Sequence, residues 1–186
     1  MFEEESVWIR DKINKIDISF IQDVIDIGSS TLKFRTIAQP YIDKNIFKPL
    51  REKGIRIFHL DQKNEEGVDI VCDITKLDKL NKKYDFVICT SLLEHIKDVK
   101  RCSQNLNALL KEGGYLLVTV PFRYRYHKDP IDTLYRPSNK DLEKLFTNLK
   151  PVCSEIIVVN KPTDRVGKIL KFFNIKWKMS CVLFRK

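Results

Sequence analysis

Apolar residues along the chain gather into short unbroken runs separated by polar turns. Asp23-Val24-Ile25-Asp26-Ile27, Ile55 to Leu60, Asp69-Ile70-Val71-Cys72 and Phe86 to Cys89 are each of strand length, and Gly28-Ser29-Ser30-Thr31 follows the first as a tight turn. Continuous runs of this kind belong to strands buried on both faces. Around them the spacing becomes helical. Glu4 to Ile16 carries Val7, Trp8, Ile13 and Ile16; Ile46 to Lys53 stops at Gly54, a C-terminal cap; Thr75 to Lys82 forms a short helix. The longest stripe, Leu93 to Leu110, places Leu93, Ile96, Val99, Leu106, Leu109 and Leu110 near one face and ends at Lys111-Glu112-Gly113-Gly114. Tyr115 to Val120 is a strand closed by Pro121, and Phe122 to Pro137 is an aromatic and charged loop. Ser138 starts a helix with Asp141 as its capping-box acid; Val152 to Val159 and Lys178 to Phe184 are the last strands, with a basic helix Thr163 to Phe173 between them.

Strands alternating with helices imply parallel βαβ units. The expected fold is α/β: one Rossmann-like, doubly wound, mostly parallel seven-stranded sheet with an antiparallel edge strand and helices on both faces. A chain of 186 residues suits a single domain. It divides into an N-terminal helix (1–20), a ligand-binding core (21–122), and a segment of loop, last strands and basic helix (123–186).

Composition narrows the class without changing this picture. At 43% hydrophobic and 32% charged residues the chain is that of a soluble globular protein, with no low-complexity stretch. The acidic start Met1-Phe2-Glu3-Glu4-Glu5 resembles neither a secretory signal nor a transit peptide, and no apolar run is long enough to span a bilayer, so a cytoplasmic location is expected. The five cysteines form no C-x-x-C pair and read as small buried thiols in a reducing compartment. The net charge of +9 is concentrated at the C-terminal end: residues 161–186 hold eight basic groups against one acid. Val166, Ile169, Leu170 and Phe173 would pack this helix on the sheet, leaving a solvated basic face; weak contact of segment 163–178 with an anionic surface is the sharper alternative. A nucleic-acid partner is not expected, because no RNA-binding module is present. Oligomeric state is not encoded legibly.

In open α/β sheets, ligands bind beyond the carboxyl ends of the strands. The residues there are Asp26-Ile27-Gly28-Ser29-Ser30, Leu60-Asp61-Gln62, Cys72-Asp73-Ile74, Thr90-Ser91-Leu92-Leu93-Glu94-His95 and Pro121-Phe122. Acids end three of the first four strands. A carboxylate accepts hydrogen bonds from both hydroxyls of a ribose but repels a pyrophosphate, which favours a nucleoside ligand over a dinucleotide. The series Asp26-Ile27-Gly28, Asp61, Asp73, Tyr84 to His95 and Leu110 to Leu116 resembles, in order, the motif set of class I S-adenosylmethionine-dependent methyltransferases, in particular the small-molecule, type 11-like group. The loop Tyr124 to Pro137 is similar to a segment of bacterial and archaeal members.

The resemblance implies S-adenosylmethionine as cofactor. The turn Asp26, Gly28, Ser29, Ser30 would pass under its methionine part. Asp61, followed by Gln62, would accept the ribose hydroxyls; Asp73 and the backbone of Ile74 would face the adenine edge; Thr90 and Ser91 would line the sulfonium end. The usual first motif runs Asp-x-Gly-x-Gly-x-Gly, whereas here Ser30 and Leu32 stand at the second and third glycines. Residues Phe34 to Lys48 lengthen the spacing from Asp26 to Asp61 and are expected to add structure over the pocket.

Methyl transfer from a sulfonium is an in-line displacement, so positioning dominates and a base is needed only where the acceptor must lose a proton. The candidate catalytic residues are His95 and His127, each weighed against a packing or loop role, and His59 is read as structural. A metal set from His127, Asp129 and Asp132 lacks a characteristic spacing, so none is assigned. Transfer to a small-molecule or glycan- or lipid-precursor acceptor is the leading expectation. The alternatives are a degenerate methyltransferase fold that binds a ligand or partner without turnover, and a nucleotide-binding dehydrogenase, disfavoured by the missing Gly-x-Gly-x-x-Gly.

Overall fold

The computed structural model describes residues 1–77, 80–127, 131–159 and 176–186. Seven strands form one sheet in the order β3-β2-β1-β4-β5-β7-β6. They are β1 (Asp23–Ile27), β2 (Arg56–Asp61), β3 (Ile70–Val71), β4 (Tyr84–Thr90), β5 (Leu110–Arg123), β6 (Lys150–Val159) and β7 (Trp177–Arg185). β1 to β5 pair in parallel, and β7 runs antiparallel to both β5 and β6. The antiparallel strand thus lies at the expected end of the sheet, one place in from the outermost strand.

The two faces follow from strand alternation. Ile25, Ile27, Val87, Cys89, Leu116, Val118, Val182 and Phe184 bury against α3 (Val99–Ala108) and α4 (Asn139–Leu145). Val24, Phe86, Ile88, Leu117, Met179, Cys181 and Leu183 bury against α1 (Glu3–Ile13) and α2 (Lys48–Glu52). β1 and β4 are buried along their whole length, as their unbroken apolar runs require. The cysteines are all free, and Cys89, Cys102 and Cys181 are buried, which raises their thiol pKa values (Cys102 to about 12). Unreactive packing is what such burial produces.

Several boundaries differ from the sequence expectation. The stripe from Leu93 to Leu110 is two elements: a 3₁₀ turn Leu93–His95, then α3, whose N-cap Asp98 accepts the Arg101 N–H at 2.9 Å. The break is physical, since Ile96 leaves the helical region with ψ 125°. Lys111 to Gly114 belong to β5 rather than to a helix end, and Gly114 is required there because an added Cβ would lie 2.8 Å from the Asp85 carbonyl oxygen. Phe34 to Lys48 is part of the crossover from β1 to β2. It forms π-helical turns at Phe34–Ala38 and Asp43–Phe47 that lead into α2, with Ile42, Ile46 and Phe47 packed on the α1 face. Residues 74–76 make a single 3₁₀ turn where a helix to Lys82 was expected. The Ser138 capping box forms as expected, with the Asp141 carboxylate accepting the Ser138 N–H at 3.0 Å. The basic helix expected at Thr163 to Phe173 lies outside the described residues. Among the described residues no helix is long and apolar enough to cross a membrane.

Candidate active site

The chain winds outward from β1 to β2 and β3, then returns to β4 and β5 on the other side of β1. The switch point therefore lies between β1 and β4, and the loops after these strands flank a crevice at the carboxyl edge.

The turn after β1 is held by backbone geometry. The Leu60 carbonyl accepts the N–H groups of Gly28 and Ser29 at 2.8 and 3.1 Å. Gly28 has φ 74°, and an added Cβ would meet the Leu92 side chain at 2.8 Å. Ser30 also has a positive φ, 56°, and so takes up the left-handed conformation for which a glycine is usual. Leu32, by contrast, requires no positive φ. Its N–H donates to the Glu66 carbonyl at 2.9 Å, and its Cβ sits against Gly67. The departure at Leu32 is accommodated by the turn at Glu66-Gly67. At Ser30 it is met with backbone strain.

Asp61, at the end of β2, accepts the Ser30 N–H at 2.7 Å on one carboxylate oxygen and the Lys63 N–H at 3.0 Å on the other. A carboxylate has about four acceptor positions, so two remain for a ligand. Gln62 is exposed beside it. Asp26 pairs with a neighbouring strand. It is 4% exposed on the α2 face of the sheet, with the His59 Nδ1 3.1 Å from its Oδ2, as the parallel register Asp26↔His59 dictates. The structural reading of His59 agrees with this placement, and the same pairing anchors Asp26 in β1. Asp73 caps the 3₁₀ turn through Thr75 N–H (2.9 Å) and Thr75 Oγ1 (2.7 Å), both on Oδ1, while Ile74 is buried.

Three buried ionisable side chains complete the site, and the sequence pattern flagged none of them individually. Arg35, 3% exposed, donates from Nη1 to the carbonyls of Ser29 (3.0 Å) and Ser30 (2.7 Å) and from Nη2 to that of Gly67 (2.7 Å). Burial lowers its pKa, and Asp26, Asp69, Asp43 and Asp61 offset the effect. Glu5, fully buried, comes from α1. Its carboxylate accepts the Phe2 N–H at 3.0 Å, the Thr119 hydroxyl, and the Ser91 hydroxyl at 3.3 Å. The N-terminal helix is thereby bonded to the ends of β4 and β5, where Thr90 is buried and Ser91 adopts φ 48°. In the sequence Glu5 is one of three consecutive acids in the helix's first turn, a position that normally faces water.

The third is Glu94, 2% exposed in the turn after β4, whose Oε2 has no hydrogen-bond partner. Burial, aided by Glu5, pushes its carboxyl up to about 8 against the opposing pull of the N-terminal amine and Arg136. Its backbone carbonyl accepts the Thr133 N–H (2.8 Å) and hydroxyl (3.0 Å), tying the loop after β5 to this turn. That contact brings the two predicted histidines together, with ring centroids 5.1 Å apart. His95 Nδ1 is hydrogen-bonded to the Ile131 carbonyl, and burial lowers the pKa of its ring. The His127 backbone N–H donates to Asp132 Oδ2 at 3.1 Å, and the His127 Nε2 lies 3.9 Å from the same oxygen. Burial opposes ionisation of Asp132, but Arg136 at 2.6 Å and the Leu134 and His127 N–H groups hold its carboxyl down to about 2. Asp129 lies outside the described residues. A cavity of about 430 Å³ lined by Lys100, Ser103, Asn107 and Lys144 opens beside α3 and α4, and no residue in its wall follows a parallel strand.

One consequence concerns Ser30. Left-handed backbone costs an L-residue about 1–2 kcal/mol, partly recovered from the greater chain freedom of glycine when unfolded. Ser30→Gly is therefore expected to raise stability by up to about 1 kcal/mol in urea titration, and a clear loss would contradict the strain assigned to this turn.

The carboxyl edge of the sheet thus carries a carboxylate fixed by backbone amides after β2 and two neighbouring histidines in the loops after β4 and β5. Solved structures share its frame at low identity. The Synechocystis PCC 6803 magnesium protoporphyrin IX methyltransferase, solved with bound S-adenosylmethionine, is 12% identical, covers 99% of this chain and 79% of its own, and gives a TM-score of 0.62. The N-methyltransferase NodS from Bradyrhizobium japonicum WM9, in complex with S-adenosyl-L-homocysteine, is 12% identical over 95% of this chain and 85% of its own, with a TM-score of 0.58. The [4+2]-cyclase SpnF is 13% identical over 96% of this chain and 80% of its own, at 0.63. No curated protein matches the sequence. A family model described as a methyltransferase domain matches residues 7–151, most of the chain. The chain belongs to that methyltransferase-domain family.

Proposed function

We propose that this chain binds S-adenosylmethionine in the crevice between β1 and β4 and transfers its methyl group to a small-molecule or glycan- or lipid-precursor acceptor. The observation that carries the reading is Asp61, a carboxylate fixed by two backbone amides at the end of β2 in a chain of the methyltransferase family. The residues fit the cofactor. Asp61 retains acceptor capacity for a ribose diol, and Gly28, at φ 74° with Leu92 packed where a side chain would stand, keeps the turn tight beside it. When bound, S-adenosylmethionine supplies an electrophilic methyl group on a sulfonium.

The chain's own residues then divide the remaining work. Gly28, Ser29 and Ser30 underlie the methionine part, and Asp61 with Gln62 takes the ribose. Asp73 and Ile74 stand at the adenine edge, where Thr75 takes the Asp73 Oδ1 and the exposed Lys76 lies 3.9 Å from Oδ2. Thr90 and Ser91 border the sulfonium, and Glu5 fixes Ser91 there from α1. His95 and His127 face the acceptor. With its Nδ1 turned to the Ile131 carbonyl, His95 has Nε2 available to receive a proton from an acceptor.

The test is an assay of S-adenosylhomocysteine release with panels of small phenols, amines, carboxylates and sugar-lipid precursors. Turnover with any one supports the reading, and His95→Ala or His127→Ala is then expected to lower kcat more than it weakens cofactor binding. A second reading, a member that binds a ligand or partner without turnover, is favoured by the strain at Ser30. Cofactor binding with no release across all panels would select it.

A further inference from the structure

We infer that Glu94, His95 and His127 form a divalent-metal site at the acceptor end of the crevice. One ligand atom from each lies within 4.8 Å of the others. Three independent features point to a ligand there.

The first is the Glu94 side chain. A carboxylate oxygen buried without a hydrogen-bond partner is costly, and such groups are retained where a cation or a reacting group meets them. The Glu94 Oε1 lies 3.9 Å from His95 Nε2, and one of the carboxylate oxygens stands within 4.8 Å of a ring nitrogen of each histidine. The second is the orientation of His95. Its Nδ1 faces the Ile131 carbonyl, a contact only an N–H can make, which places the lone pair on Nε2, the atom turned to Glu94. Metal-binding histidines are fixed this way, by a backbone carbonyl or carboxylate on the other ring nitrogen. The third is His127, brought from the loop after β5 to 5.1 Å from the His95 ring and steadied by its N–H bond to Asp132. Asp132 in turn is fixed by Arg136 at 2.6 Å, so the loop is braced around the site.

The donor set, two imidazoles and one carboxylate, suits zinc, iron, cobalt or manganese rather than magnesium or calcium, which prefer oxygen. Ligand atoms on tetrahedral zinc stand about 3.3 Å apart, so closing the site needs a contraction of up to about 1.5 Å, within the reach of side-chain rotation. Three protein ligands leave at least one coordination position open. This extension rests on the methyl-transfer reading above: an acceptor oxygen in that position would be held beside the ends of β4 and β5 and would release its proton to solvent more readily, with His95 Nε2 then serving as a ligand in place of a proton acceptor.

The probe is Co²⁺, added to the purified full chain without cofactor and followed by its visible absorption. One equivalent is expected to bind, giving a d–d spectrum of nitrogen and oxygen ligation without thiolate charge transfer. Glu94→Gln and His127→Ala are each expected to weaken it at least tenfold. His127 lies in a loop, and circular dichroism of His127→Ala is expected to match wild type, separating lost ligation from lost folding. Zn²⁺ is expected to raise the melting temperature of wild type and not of His127→Ala. Absence of a Co²⁺ spectrum at millimolar metal would overturn the site, as would a spectrum that persists in both variants or shows thiolate ligation. S-adenosylhomocysteine binding, measured separately, tells failure of the metal site from failure of the methyltransferase reading.

Discussion

Arg35→Ala is expected to destabilise the protein by about 3 kcal/mol or more and to abolish measurable S-adenosylhomocysteine binding. The guanidinium is buried and holds three backbone carbonyls, those of Ser29, Ser30 and Gly67, at 2.7 to 3.0 Å. Each hydrogen bond to a charged group is worth about 1.5–3 kcal/mol, and truncation leaves buried acceptors without donors. For a chain of this size the loss corresponds to a fall in melting temperature of roughly 6–12 °C. Arg35→Lys is not expected to rescue it, because an ammonium on a flexible stem lacks the planar fork that spans both loops. A melting temperature within 2 °C of wild type would show that the turn after β1 holds its shape without this clamp.

Asp61→Ala is expected to act on binding far more than on folding. Asp61 is only half-buried at the crevice edge, so water can replace the carboxylate at the Ser30 and Lys63 amides. Affinity for S-adenosylhomocysteine is expected to fall tenfold or more, about 1.4 kcal/mol or above. Asp61→Asn should lie between, since its carboxamide keeps one acceptor oxygen but presents a donor where a hydroxyl must donate. Equal affinity in wild type and Asp61→Ala would remove this residue from the proposed site.

The parts of this architecture that depend on local pattern were legible in the sequence. Buried strands such as β1 and β4 announce themselves as apolar runs, and Ser138 with Asp141 announces a helix start. The acids at strand ends and the two histidines were legible for the same reason, because a strand's carboxyl end can be placed from its pattern. Features set by distant contacts were not. Asp26 ends its apolar run as an acid, yet the register opposite His59 turns it onto a face of the sheet. Arg35 and Glu5 look like solvated charges until the crossover and α1 fold over the strand ends. Glu94 was visible between Leu93 and His95, but its burial depends on the loop after β5 docking through Thr133. The split of the long helical stripe at Ile96 was concealed by spacing, although Asp98 stood in place as a cap.

The most direct measurement of the central claim is calorimetric titration of S-adenosylhomocysteine into the purified wild-type protein. The account predicts one site with micromolar affinity. No heat at millimolar ligand, with the protein shown to be folded by circular dichroism, would contradict it and leave a methyltransferase-family domain that does not bind the cofactor.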